Sequence, residues 1–330
     1  MTFSLSVLKI LFIVLTVFAV ATYVRATLRA QSFEQRYPPT GTLLDVDGIQ
    51  VHAQIMGAGP DLVLIHGASG NTRDMALSLG AALASDYRVI IFDRPGLGYT
   101  GRTDPSYANY LSNRSETPRE QADLLVRAAR QLGVENPIVV GHSFGGAVAA
   151  AWATYYPDDL RAFVNLAGAT YPWNTPVDWL YRWTASPLGR VTMPYLVGAW
   201  VPETYVETSA QGIFGPNDGP ADYAKAIGAY LVIRPASMKA NANQVYNLRD
   251  AVRIQSQDYP SISVPVEILH GDLDTIVGLG VHSDRMARDV QGANLTILEG
   301  AGHMIQHTHV DEILAAISRA DQASGLNSDR

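Results

Sequence analysis

The stretch "VVGHSFGGAVAA", residues 139–150, changes character at its centre. Pro137-Ile138-Val139-Val140 reads as a short buried strand, and Ala147 to Trp152 as a tightly packed helix. No ordinary turn fits between them. Gly141 and Gly145 flank Ser143 in the spacing G-x-S-x-G, which suits a sharp strand-to-helix turn. Small neighbours let the backbone double back, so the serine hydroxyl stands above the sheet. The N–H of Phe144 then opens the helix and points at any anion formed there. The bland alternative is a glycine-softened strand–helix connection, so the rest of the chain has to decide.

A serine hydroxyl is a weak nucleophile. It needs a base, and the base needs an acid to orient it. Two later segments supply candidates. The strand pattern "VPVEILHG" (264–271) leads into "HGDLDTIV", with Asp272 and Asp274, and "ANLTILEG" (293–300) leads into "EGAGHM", with His303. Parallel strands share a carboxyl edge, so these loops leave the sheet on the same side as Ser143.

Outward from these motifs the chain alternates. Residues 41–48 and 49–57 form a hairpin pattern meeting at Asp47-Gly48. "DLVLIH" (61–66) leads to a helix near 73–85, and "YRVIIFD" (87–93) to one near 118–132. Thr117, Pro118 and Glu120 give that second helix a capping box, and Gly133 ends it. "AFVNLAG" (162–168) follows, and a last helix is expected near 309–320. Near-continuous apolar strands between helices imply a parallel sheet covered on both faces. Residues 171–260 break the alternation with no convincing strand, and carry four of the five tryptophans. They read as a helical insertion.

The chain resembles the serine-nucleophile, cap-bearing members of the α/β-hydrolase superfamily. Five motifs carry the likeness: "LIHGASG", "FDRPGLGYT", "GHSFGG", "HGDLDTIV" and "GAGH", spread over residues 45 to 318. The resemblance implies a mostly parallel eight-stranded sheet flanked by helices, with a helical cap (171–260) after the sixth strand. The hydrolase core would be 41–170 and 261–322, with a frayed tail at 323–330. Ser143 would be the nucleophile, His303 the base and Asp274 the acid, with Asp272 as the alternative. The oxyanion donors would be the amides of Phe144 and Ala68, or Ser69 in place of Ala68. His66 would shape its loop and His142 would pack. His270 would cap a strand, and His282, His307 and His309 would lie solvated on helices. Asp93-Arg94 reads as an ion pair or loop brace. No acid follows the strand ending at Ala167, so the family's other acid position is empty. Serine at position 143 excludes the epoxide-opening and dehalogenating relatives, which use aspartate there. Acyl transfer to water remains, with perhydrolysis, C–C hydrolysis and transfer to another acceptor as rivals, and a non-catalytic binding module as a distant one.

Composition narrows the partners. The 330 residues carry a net charge of −7 and no basic block in the soluble part, which argues against nucleic acid. With no cysteine, thiol and thiolate chemistry are excluded. His303 and His307 stand four apart without an H-E-x-x-H pattern, so neither a metal nor a cofactor is expected. Oligomeric state is not legible.

The N-terminus differs in kind. Residues 5–24, "LSVLKILFIVLTVFAVATYV", are apolar apart from Lys9, two threonines and a serine. Ile10–Val24 alone spans about 22 Å as a helix, against a hydrocarbon core of about 30 Å. With Lys9 snorkelling, the whole segment crosses. Ala19-Val20-Ala21 offers a signal-peptidase rival, but the apolar run continues past it to Arg25. The reading favours an uncleaved single-pass anchor (1–24), a polar stalk with few contacts (25–40) ending in Pro38-Pro39, and a lipophilic small-molecule substrate. Arg25, Arg29 and Arg36 favour a cytoplasmic catalytic domain. The A-x-A site and absent cysteines favour export, and the balance leans there.

Overall fold

A computed structural model describes residues 5–325. Its strands are β1 (Thr42–Val46), β2 (Ile49–Met56), β3 (Asp61–Ile65), β4 (Arg88–Phe92), β5 (Ile138–His142), β6 (Ala162–Leu166), β7 (Val266–Gly271) and β8 (Asn294–Leu298). They form one eight-stranded sheet in the order β1-β2-β4-β3-β5-β6-β7-β8. Only the β1–β2 and β2–β4 pairs are antiparallel, so β3 to β8 present their carboxyl ends at one edge. This is the α/β-hydrolase fold.

Alternation along the strands builds two cores. Val63, Ile65, Ile90, Phe92 and Val139 point to one face, and Leu62, Leu64, Val89, Ile91, Ile138 and Val140 to the other. The first face is covered by α4 (Pro118–Gln131) and α5 (Phe144–Tyr155). The second is covered by the short α2 (Thr72–Met75) and α3 (Ala81–Leu83), and by the last helix. Helix α4 carries the expected capping box, with Thr117 and Glu120 each bonding the other's backbone N–H. Helix α5 is rich in alanine and glycine because it lies almost on the strands. A Cβ on Gly146 would sit 2.6 Å from both Asn165 Oδ1 and Gly168 Cα.

Between β6 and β7 the chain leaves the sheet and forms α6 (Trp179–Ala185), α7 (Gly189–Trp200), α8 (Glu203–Gly212), α9 (Tyr223–Ala226) and α10 (Pro235–Gln255). After β7 come α11 (Ser283–Asp289), α12 (Ile305–Thr308) and α13 (Val310–Ala323). The tail expected from 323 starts inside α13, and its residues 326–330 lie outside the described ones.

The N-terminal segment departs from the expected stalk. Helix α1 runs unbroken from Leu5 to Arg36, about 48 Å at 1.5 Å per residue. It is long and apolar enough to cross a membrane. Residues 25–36 continue it rather than forming a spacer. No glycine or proline interrupts the chain before Pro38, so nothing ends the helix sooner. Their contacts also favour order. Thr22, Ala26 and Phe33 are buried along one side. Arg25 donates to the Ala199 carbonyl at 2.8 Å, and Arg29 to those of Gly198 at 2.8 Å and Val201 at 2.9 Å. Arg36 pairs with Glu203 and Arg234 with Glu34, each at 2.8 Å.

Candidate active site

Ser143 closes β5 and opens α5 with φ 55° and ψ −119°. A non-glycine residue at such a φ stores on the order of 1–3 kcal/mol of strain. The neighbourhood holds it there. A Cβ on Gly67 would come 3.0 Å from Ser143 Cβ and 3.2 Å from His142 Nδ1, so the β3 loop can close on the serine only without a side chain. On the other side, a Cβ on Gly145 would stand 2.6 Å from the His66 carbonyl oxygen. Ser143 is buried at 8% exposure and, among the described residues, its hydroxyl has no hydrogen-bond partner.

His303 stands on the loop after β8, with Nδ1 2.7 Å from Asp274 Oδ2. That bond orients the ring with Nδ1 toward the carboxylate and Nε2 away from it. Asp274 Oδ1 accepts the amides of Ile276 at 2.8 Å and Val277 at 2.9 Å. Burial alone would raise the Asp274 pKa. The hydrogen bonds from His270 and His303, His303's charge and the Val277 amide outweigh burial and hold the carboxyl well below the usual range. Asp272 faces elsewhere. It is exposed, and its Oδ1 accepts the Gly300 amide at 2.7 Å, bracing the turn rather than the histidine.

The remaining histidines divide between brace and latch. His142 Nε2 lies 3.0 Å from the His303 carbonyl and its ring 4.8 Å from the His303 ring. Burial, then the nearby His303, pushes His142 down to about 3, so it is neutral. His66, lowered by burial to about 4, bonds Arg94 N at 2.9 Å through Nε2 and the Gly67 carbonyl at 2.8 Å through Nδ1. His270 does not cap a strand. It is buried within β7, with Nε2 2.8 Å from the Val277 carbonyl and 3.2 Å from Asp274 Oδ2, a second hold on the acid. Nor are His282 and His307 solvated. His282 is buried and accepts the Tyr171 amide at 3.0 Å. His307 bridges Ser78 and Asp74, each at 2.8 Å, and Tyr223 of α9 bonds the same Asp74 oxygen at 2.8 Å. His309 is half-buried at the start of α13. Helical spacing gave no sign of these burials because the partners come from distant segments.

Two amides are candidates to meet an oxyanion. Phe144 N–H is the first of α5, and helix geometry leaves it without an internal acceptor. On the β3 loop the Ser69 amide is already spent on Asn241 Oδ1 at 2.8 Å, which leaves Ala68. Arg94 braces both donors. It donates to the carbonyls of His66 at 3.0 Å and Gly67 at 3.1 Å, and its guanidinium lies 4.0 Å above the Phe144 ring. Asp93 does not pair with it. That carboxylate takes His52 at 2.6 Å and the amides of Thr72 and Tyr99.

Asn217 and Asn241 were not singled out in the sequence, and both come from the β6–β7 insertion. Asn241 of α10 also donates to Ser69 Oγ at 2.9 Å. Asn217 accepts the Gly302 amide at 2.8 Å and donates to the Gly300 carbonyl at 3.0 Å, holding the histidine loop. Isolated asparagines in a helical stretch carry no motif, so only the three-dimensional partner reveals them.

Comparison with known proteins agrees with this architecture. A family model described as "alpha/beta hydrolase fold" matches residues 60–310. An uncharacterized protein of Mycobacterium tuberculosis is 27% identical over 296 residues, 86% of this chain and 81% of its own length. Among solved structures, a membrane phospholipase A superposes with a TM-score of 0.63 at 20% identity, covering 96% of this chain and 99% of that one. An esterase from Exiguobacterium antarcticum gives a TM-score of 0.63 at 19% identity, covering 84% and 98%. At such identities the superpositions speak for the fold. With the family model spanning most of the chain, the protein belongs to the alpha/beta hydrolase fold family and is an enzyme of that superfamily.

Proposed function

We propose that the protein is a serine hydrolase that cleaves an ester, thioester or amide of a lipophilic substrate through an acyl-enzyme. The observation that carries this reading is the His303–Asp274 bond of 2.7 Å, on a loop whose His303 carbonyl lies 3.0 Å from His142, the residue before a serine held at φ 55°. His303 Nε2 takes the proton of Ser143 as the hydroxyl oxygen attacks the acyl carbon, and Asp274 stabilises the imidazolium. The amides of Ala68 and Phe144 take the developing oxyanion. His303 then returns the proton to the leaving group, and water activated by the same imidazole clears the acyl group. No cofactor enters the scheme.

The helices between β6 and β7 act as a cap over this edge, and α1 as a single-pass anchor. Both features support a substrate drawn from a lipid phase. The exported side of a membrane remains the favoured location for the catalytic domain.

Product analysis tests the reading. Incubation with acyl esters of graded chain length should release free acid, with rate rising toward longer chains. Acid release absent across the panel, with turnover only in the presence of peroxide or on a vinylogous 1,5-diketone, would move the assignment to perhydrolysis or C–C hydrolysis on the same residues.

A further inference from the structure

Helices α6 and α7 carry an apolar face that none of the described residues covers. Trp179, Trp183 and Leu188 are 62%, 50% and 62% exposed, and Val191 is 36% exposed. The two tryptophans lie one helical turn apart, on the same side of α6. Between Trp179 and Val201 the sequence has Arg182 and Arg190 but no carboxylate, although the whole chain is at −7.

The same helix α7 packs against α1 through its C-terminal half. Trp200, at the end of α7, stacks on Phe18 at 6.0 Å and donates its indole N–H to Thr22 at 3.0 Å. The rings of Tyr23 and Tyr195 stand 5.5 Å apart. Helix α7 is therefore fixed to α1 where the apolar run ends and the arginines begin. If α1 spans a bilayer, that point lies at the headgroup level, where the amphipathic indole ring and the arginine side chain are both favoured. The opposite side of α6 faces the site. Tyr181, midway between the two tryptophans, turns its phenol toward the side chains of Ser69, on the β3 loop, and Asn241.

We propose that the α6–α7 face, centred on Trp179, Trp183, Leu188 and Val191, is a second membrane contact, seated in the headgroup zone of the bilayer that α1 enters. The exposed Arg182 selects anionic lipid, and α6 stands between the lipid and the β3 loop. The inference rests on reading α1 as an anchor, so the test separates the two.

The full chain is reconstituted in phosphatidylcholine–phosphatidylglycerol vesicles whose acyl chains are brominated either near the headgroup or near the bilayer centre. Tryptophan quenching is read for the unsubstituted protein, for a W179F/W183F double variant and for W200F. Shallow bromines should quench more than deep ones, and the double variant should lose more than half of the shallow quenching. Lowering the phosphatidylglycerol content should weaken what Trp179 and Trp183 contribute. If only W200F changes the signal, the anchor stands and this face is not in lipid. Quenching in no variant would remove the anchor reading as well. Protection of Trp179 and Trp183 that grows with copies per vesicle would assign the face to a second copy and overturn the proposal. None of these readouts depends on catalysis, so each outcome leaves the hydrolase assignment to its own test.

Discussion

The carboxyl edge of the sheet is held in part by local bonds, and the seam between α1 and the β6–β7 insertion by bonds between distant segments. At the edge, Asp274 takes amides two and three residues away, and Ser143 is locked by glycines in adjoining turns. At the seam, Arg29 reaches carbonyls 169 and 172 positions along the chain, and Phe33 is buried among residues of the insertion. Local bonds place a side chain as soon as its strand and turn form. The seam exists only once two distant segments have docked. The edge should therefore respond to substitution chemically, through rate, and the seam mechanically, through stability or the positioning of loops.

The largest contrast lies within one loop. Asp274→Asn should lower kcat for a short-chain ester by about 10³- to 10⁴-fold, because the imidazole loses tautomer control and its counter-charge. Asp272→Asn, which only loosens a turn, should stay within a few-fold. The reverse order would transfer the acid to Asp272.

Next comes the seam. Phe33→Ala removes a side chain that is 2% exposed, and buried phenylalanines truncated in this way cost about 3 kcal/mol. Chemical denaturation in detergent should show that loss, while rate constants on a soluble ester change little. An unchanged midpoint would mean that α1 contributes nothing to the fold beyond Val24.

Asn241→Ala crosses between the regions. Releasing the Ser69 amide and hydroxyl from α10 lets the oxyanion loop drift, and kcat should fall about tenfold to thirtyfold. KM should move less if, as proposed, this loop meets the transition state. A change confined to KM would make Asn241 a substrate contact instead.

The smallest effect is a slope. His142 is held neutral down to about pH 3, whereas the unfolded chain takes up that proton near 6.5. Its contribution is complete above 6.5 and is lost as pH falls toward 3. In His142→Asn, stability measured by urea denaturation should fall less steeply over that window, by up to about 1.4 kcal/mol per pH unit. His66 and His282, both lowered to about 4, keep part of the slope. An identical slope in the variant would show that His142 is already charged in the fold.

How much of this was legible follows from the same contrast. The strand–glycine–serine–helix run, the capping box at Thr117 and the loops carrying Asp274 and His303 are local patterns, and the sequence displays them directly. The continuation of α1 to Arg36 was legible in principle: Thr22, Ala26, Arg29 and Phe33 recur at helical spacing, and no breaker precedes Pro38. The arginines masked it, because charge suggests solvent, whereas here Arg25 and Arg29 reach backbone carbonyls and Arg36 reaches Glu203. Asn217, Asn241 and the buried His307–Asp74–Tyr223 cluster were not legible. Each depends on a partner from a separate segment, and polar residues with one distant partner leave no periodicity.

The central claim is that Ser143 attacks. It is tested most directly by incubating the full chain with a fluorophosphonate and mapping the adduct by intact mass and peptide fragmentation. One phosphonyl group should appear, on Ser143, and Ser143→Ala should take up none while keeping the native unfolding midpoint. An adduct on another serine, or undiminished labelling of Ser143→Ala, would contradict the account.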